Sequence, residues 1–351
     1  MKVAVIGGGL FGCTAAIHCA RAGHDVHLFE SSGDVMKGAT AGSYNRLHRG
    51  YHYPRSKETG RESLSAEASF RQEYGKAIID GGTQLYAIAD GGLIDGPDYL
   101  YFLETMNLRY VRNVDHALIA GTEWIFEVEE PRIDPDALVE AVKDKLSSVK
   151  VHFEPMPRDI RDHVDAIVVA SYAGSNDVLR ELDLAPETYK FQVVEKPLVQ
   201  LPADFHHTSI VVLDGPFCCL DPHGLTDAHV LGHVVETVHH SNVGYAADVP
   251  ADLRPFVNHG LYRDFPQTRI KRVIEAMESH IPGVKAANYI GSTLTVRAVL
   301  PDQEKTDARP TLVQRLDSQV VRVFSGKMGT AVSAAREVVA SLRAMEKLKA
   351  A

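Results

Sequence analysis

The sequence predicts an α/β protein of two units, one built on a parallel sheet and the other an α+β unit with a mainly antiparallel sheet. Three observations point there. The first thirty residues read as strand, glycine turn, helix and strand, a β-α-β pattern. Residues 132–190 and 291–351 return to alternating strand and helix, whereas 81–131 and 191–290 carry short strands separated by turn residues. The expected boundaries are therefore 1–80, 132–190 and 291–351 for the parallel unit, with 81–131 and 191–290 forming the other. A length of 351 residues supports two units, because single cores stop growing at roughly 250–300 residues.

Taken in order, residues 2–6 form a short apolar strand, 7–12 a glycine turn, 13–22 a helix of small residues and 25–29 an alternating strand. Gly23 stands where a helix C-cap belongs. Residues 38–56, GATAGSYNRLHRGYHYPRS, hold no sustained period and are expected to form a long loop with a short helical piece at 45–48. Such stretches often carry function in compact domains. Helical composition follows at 57–74, then short strands at 83–89, 118–119 and 125–128. A helix at 133–146 is signalled by Asp134 before Pro135 and by Leu138, Val139, Val142 and Leu146 at helical spacing. Strands at 149–153 and 166–170 bracket it. Further strands are expected at 192–194, 209–213 and 230–235, a helix at 266–281, and a last strand at 320–324 that turns through glycines into a helix at 330–348.

Composition narrows the partners. The chain carries 37 Lys and Arg against 46 Asp and Glu, a net charge of −9 without a like-charged run, so nucleic acid is not an expected partner. Cys13, Cys19, Cys218 and Cys219 lack the spacing of a zinc or redox pair, which fits a reducing, cytoplasmic setting. No apolar stretch reaches the roughly 18 residues of a membrane span. MKVAVIG already reads as strand and turn, so no removable signal is expected. Histidines number 17, yet His229 and His233 fall in HVLGHVV, which alternates as a strand, and no metal is expected.

Gly7, Gly9 and Gly12 make GxGxxG after a strand and at the opening of a helix, and Glu30 lies eighteen residues beyond Gly12 at the end of the next strand. This context makes it a Rossmann-type dinucleotide turn. Gly7 permits the tight turn, Gly9 the approach of a pyrophosphate, and Gly12 the packing of helix on sheet, while Leu10 and Phe11 complete the loop. The helix N-terminus offers free N–H groups and partial positive charge to phosphate, and Glu30 can accept hydrogen bonds from an adenosine ribose. FAD and NAD both present an ADP half to such a turn, so the turn alone does not choose between them.

The segments GGGLFG with Glu30, TAGSYNRLHRGYHYPRS, EPRIDPDALVEAVKDKL, DAIVVASYAG and FSGKMGTAVSAAREV, in that order, resemble the D-amino-acid-oxidase-like superfamily of FAD enzymes over nearly the whole chain. The second segment is most similar to the L-2-hydroxyglutarate oxidase and glycine oxidase branches. The resemblance implies an FAD-binding unit and a substrate unit. It also implies that Asn45, His48, Gly50 and Tyr53 fall in the pattern beside the flavin, with Ser43, Arg46, Leu47 and Ala170 around it. Gly326, Lys327, Met328, Gly329 and Thr330 would lie at the flavin pyrimidine edge; the flavin is expected to be held non-covalently, with a covalent link through His48 as the alternative. Lys327 and Met328 depart from the small residues or histidine often found there, which leaves the substrate class open.

In that setting the N–H groups of 326–330, with Lys327, would stabilise negative charge on the reduced flavin. Arg297, in TLTVRAVLP, would clamp a substrate carboxylate with its planar fork, and Arg309 is a weaker second choice. His48 is a candidate base for a hydroxyl proton. Tyr51 and Tyr53 are expected to meet substrate, and Tyr245 and Tyr262 are weaker candidates. The expected function is an FAD-dependent oxidase or dehydrogenase that takes hydride from an amine- or hydroxyl-bearing carbon of a carboxylate-containing small molecule. Oxygen or another acceptor would receive the electrons; a homo-oligomer is compatible. The alternatives are a flavin monooxygenase or halogenase-like enzyme, an NAD-dependent dehydrogenase, and a flavin-binding protein without activity.

Overall fold

Residues 1–113, 115–215, 217–303 and 306–350 are described by the computed structural model. Its first elements are β1 (Lys2–Ile6), α1 (Leu10–Arg21) and β2 (Asp25–Phe29), with β1 and β2 parallel as expected. The helix begins at Leu10 rather than 13, because Gly9 is extended (φ −72°, ψ 178°) and acts as its N-cap. No helix forms at 45–48. The chain there is extended toward the segment 131–133: Ile133 N–H donates to the Asn45 carbonyl at 2.7 Å and Leu47 N–H to the Pro131 carbonyl at 3.0 Å.

Next comes α2 (Lys57–Tyr74), started by Ser56, whose side chain accepts from the Thr59 N–H. β3 (Ile78–Ile79) and β4 (Thr83–Ala89) precede α3 (Gly96–Thr105) and β5 (Tyr110–Asn113), two elements that the sequence reading leaves out. The expected strand at 118–119 is only an isolated bridge between His116 and Ile119. After β6 (Thr122–Val128) and β7 (Arg132–Ile133), α4 (Pro135–Lys145) opens as its signal requires. Asp134 Oδ1 accepts from the N–H groups of Asp136 at 3.0 Å and Ala137 at 3.1 Å.

The remaining elements are β8 (Lys150–His152), α5 (Ile160–His163), β9 (Ala166–Val169), α6 (Ser175–Glu181), β10 (Tyr189–Gln200), β11 (Thr208–Leu213) and β12 (Cys218–Pro222), followed by β13 (Ala228–His233), β14 (Val238–Gly244), α7 (Ile270–Met277), β15 (Asn288–Val299), β16 (Leu312–Arg315), β17 (Val320–Phe324) and α8 (Ala331–Ala350). α7 is shorter than the expected 266–281, since the Arg269 N–H is held by the Glu195 carboxylate at 2.9 Å and fixes where the helix can start.

Two large sheets result. The first has the order β16-β17-β9-β1-β2-β8 and is parallel except for β16. Val3, Val5, Ala16, Val168 and Leu342 share one core against α1 and α8, while Ile6, Ile167 and Leu179 form another on the opposite face. The second sheet has nine strands in the order β14-β10-β13-β12-β11-β4-β6-β5, with β15 on β10. It is mostly antiparallel, with β4 and β11 parallel. Residues 291–299, expected in the nucleotide unit, belong to this sheet: β15 runs antiparallel along β10 from Asn288 opposite Gln200 to Val299 opposite Lys190.

Asp134→Ala removes the cap of α4 and should lower the stability of the protein by about 1 kcal/mol. Urea denaturation measures this; an unchanged midpoint would show that the cap contributes nothing.

Candidate functional site

The glycine turn is shaped by backbone contact. Gly7 sits at φ +109°, and a Cβ there would stand 2.7 Å from the Ala170 carbonyl oxygen at the end of β9. On Gly12 a Cβ would stand 1.8 Å from the Gly7 carbonyl oxygen, so only glycine lets α1 pack on the turn. In front of Gly9 there is space, since a Cβ would meet only Thr40 Oγ1 at 3.6 Å. No side chain caps Gly9 and no acid lies in the first turn of α1, which leaves its positive end available to an anion. Leu10 N–H donates to Thr40 Oγ1 at 3.2 Å, Leu10 is buried, and Phe11 packs against the core. Glu30 accepts from the N–H groups of Gly8 at 2.6 Å and Ser32 at 2.8 Å, which places its carboxylate beside the turn.

The segment 43–48 meets the turn 326–330. Ser43 Oγ donates to Met328 Sδ at 2.8 Å and accepts from the Asn45 N–H at 3.0 Å. Asn45 is buried at φ 58°, and Leu47 Cδ1 lies 2.9 Å from where a Gly329 Cβ would stand. Gly326 N–H donates to Thr311 Oγ1 at 3.1 Å, and Thr330 Oγ1 donates to the Lys327 carbonyl at 2.6 Å. Lys327 turns inward, its Nζ 4.2 Å from the centroid of Tyr53.

Both segments border a cavity of about 460 Å³ whose wall includes Arg46, His48, Lys196, Arg297, Arg309 and Lys327. All three expected catalytic residues therefore face one space. Neither expected tyrosine lines it. Tyr51 donates to the Arg109 carbonyl at 2.7 Å within a buried aromatic cluster, and Tyr53 lies beneath Lys327. His48 and His52 line the cavity while the tyrosines are buried, the chain turning between them at Gly50, whose carbonyl accepts from the Tyr53 N–H at 3.0 Å. Tyr245 is exposed and Tyr262 donates to the Pro255 carbonyl at 3.0 Å; neither lines the cavity.

Charged groups, some of them buried, surround this space. His48 Nδ1 lies 3.3 Å from Glu130 Oε1, which leaves Nε2 as the nitrogen available to the cavity. Burial pushes the imidazole below its ordinary range against the pull of Glu130. Burial would raise the Glu130 carboxyl, but His48, Arg46 and the Tyr86 hydroxyl outweigh it and hold the group below the usual range. Tyr86 donates to Glu130 Oε2 at 2.6 Å and accepts from Arg46 at 3.3 Å. Arg46 Nε is paired with Asp221 Oδ1 at 2.6 Å, and Ser209 donates to the same oxygen at 2.5 Å. Burial lowers Lys327 to about 7, with Arg46 adding to the effect. Arg297 is likewise lowered, by desolvation in the cavity wall and by Arg309, although the residue keeps an exposed surface. Arg309 pairs with Asp307. Arg297 makes no ion pair or hydrogen bond among the described residues, although it faces the cavity.

Glu130, Tyr86, Asp221, Tyr44 and Lys196 are not singled out by the sequence as site residues. Glu129-Glu130-Pro131 resembles an exposed acidic turn, and Asp221-Pro222 a loop, so only pairing across the chain reveals their burial. Lys196 carries a legible signal, because period two places it on the face of β10 that holds Gln192. His229 donates Nε2–H to the Phe205 carbonyl at 3.0 Å, and no group of three metal-ligating side chains occurs among the described residues. No described helix is long and apolar enough to cross a membrane.

A family profile described as DAO, FAD dependent oxidoreductase, matches residues 2–305. The chain is 33% identical over 97 residues to the FAD-dependent monooxygenase kojA of Aspergillus flavus; the match covers 28% of this chain and 23% of that protein. This chain thus spans about a quarter of the length of the curated relatives it matches. Among solved structures it is similar to glycine oxidase from Geobacillus kaustophilus, with TM-score 0.71 and 14% identity over 99% of this chain and 94% of that one. It is also similar to L-proline dehydrogenase from P. horikoshii, with TM-score 0.68 and 14% identity over 97% of this chain and 92% of that one. At these identities the likeness is one of fold.

Gly12→Ala would drive a Cβ into the Gly7 carbonyl and force α1 off the turn, at a cost of about 1–3 kcal/mol. The purified variant should retain little flavin and melt at lower temperature; wild-type flavin content would contradict this reading of the turn.

Proposed function

Because the chain belongs to the DAO family of FAD-dependent oxidoreductases, we propose that it removes hydride from a carbon bearing an amine or hydroxyl in a small molecule that carries a carboxylate. Unpaired Arg297 in the wall of the cavity, facing the same space as His48, is the observation that carries the reading. The residues fit FAD. The uncapped α1 N-terminus, Gly7, Gly9, Gly12 and Glu30 would hold the dinucleotide, and segments 43–48 and 326–330, with Ala170, would hold the ring system. When bound, FAD supplies the acceptor for the hydride.

The chain's own residues then divide the work by charge. Arg297 binds and orients the carboxylate, presenting the neighbouring carbon in one pose. His48 arrives neutral, its Nδ1–H directed at Glu130, so that Nε2 can take the proton of a hydroxyl or ammonium group. Lys327 would offset negative charge at the pyrimidine edge, since the N–H groups of Gly326 and Thr330 are already taken by Thr311 Oγ1 and the Lys327 carbonyl. Oxygen or another acceptor would take up the electrons, in a cytoplasmic setting. A second reading, a flavin monooxygenase, is favoured by the segment shared with the Aspergillus protein. It requires a nicotinamide reductant or a reductase, so flavin bleaching by NADH or NADPH but by no amino or hydroxy acid would select it.

Arg297→Ala should raise KM for a carboxylate substrate about 10- to 100-fold, the loss of one charge-assisted hydrogen-bonded pair, with flavin content retained. Steady-state kinetics beside the visible spectrum checks both; an unchanged KM would remove Arg297 from the site. The neutral form of His48 is the active base, so kcat/KM should fall as pH drops through a pKa below the ordinary histidine value. In Glu130→Gln the carboxylate that raises that pKa is gone, and the acid limb should move to still lower pH. An acid limb at the same pH in both proteins would show that His48 is not the group observed.

A further inference from the structure

Lys196 has no part in the chemistry above, yet it faces the same cavity as Arg297. On β10, Lys190, Gln192 and Lys196 line the cavity while Phe191, Val193 and Glu195 are buried on the other face. Glu195 is occupied there by His239 at 2.8 Å, Thr268 at 2.6 Å and Ser292 at 2.5 Å, and does not neutralise its neighbour. Among the described residues Lys196 forms no hydrogen bond or ion pair; its Nζ lies 3.1 Å from the centroid of Tyr44. The Tyr44 ring is itself seated on β13, where a Cβ at Gly232 would stand 2.1 Å from its hydroxyl. Asp221, the nearby carboxylate, gives Oδ1 to Arg46 and Ser209, while its buried Oδ2 has no hydrogen-bond partner among the described residues.

Lys196 is half-buried with no ion pair among the described residues, and desolvation pushes its ammonium down to about 7. An arriving anion would relieve both. The other uncompensated cation, Arg297, stands on β15 directly opposite Gln192, four residues from Lys196. Four residues of strand span roughly 13 Å, which two long side chains reaching into the cavity shorten.

We propose that Lys196, resting on Tyr44, binds a second acidic group of the substrate, so that the cavity selects dicarboxylates held between Arg297 and Lys196. The substrate class rests on the oxidation proposed above, but anion binding is read separately from turnover. Isothermal titration of the FAD-loaded protein with glutarate and valerate, five-carbon acids without an oxidisable amine or hydroxyl, provides the test. Glutarate should bind about tenfold tighter or more, as expected for one additional charge-assisted contact. Lys196→Met should erase the difference, Lys196→Arg should keep it, and Arg297→Ala should weaken both acids. Equal affinities in the wild type overturn the proposal, and that comparison stands even if Lys196→Met does not fold. So does a glutarate preference that survives Lys196→Met. An altered flavin spectrum in Lys196→Met without ligand, with unchanged binding of both acids, assigns Lys196 to the cofactor instead and equally overturns it. Flavin that no amino or hydroxy acid bleaches would sink the proposed oxidation while leaving the glutarate–valerate comparison intact.

Discussion

A buried charge pair ties the irregular segment 38–56 to the larger sheet. Arg46 and Asp221 meet at 2.6 Å with almost no solvent contact, and removing either partner of such a pair costs about 3–5 kcal/mol because the other is left uncompensated. From this anchor the contacts run through Tyr86 to Glu130 and from Glu130 to His48. Segments distant in sequence are thus fixed in one chain of hydrogen bonds, and the cavity takes its shape from them. A loop of this length would otherwise pay in entropy for every side chain it aims.

Local rules reach a definite depth in this chain. The glycine turn, α2 and the Asp134–Pro135 start of α4 are legible because each depends on neighbours within a few residues. The central cavity residues divide differently. Arg297, His48 and Lys327 stand out as functional residue types in expected segments, and the fold brings them together. Glu130 and Asp221 do not stand out, since their burial is created by partners 82 and 175 residues away. Tyr51 misleads for the opposite reason. His48 and His52 on either side of it face the cavity, but the turn at Gly50, closed by the Tyr53 N–H on the Gly50 carbonyl, leaves Tyr51 in the aromatic cluster. Residues 291–299 lie in the larger sheet because β10 offers a full-length edge to β15, a pairing preference that no short window displays.

Two amines in the wall of the cavity are under pressure to lose their charge. Lys196 and Lys327 are both brought to about 7, near the point where a small change in surroundings decides protonation. An incoming anion therefore changes the wall as well as filling the space. Binding a negatively charged group would draw protons onto these amines, and release of the group would return them to water. The charge on these two amines therefore depends on what occupies the cavity.

The alternation along β10 separates what the cavity accepts from what keeps the sheet folded. Phe191, Val193 and Glu195 serve the interior, and the residues between them serve only the space above. Exchanges at the upward-facing positions leave the packed face untouched, so this strand can be rewritten for new ligands by single steps. Lineages that share the scaffold are thereby free to diverge in diet while their architecture stays fixed.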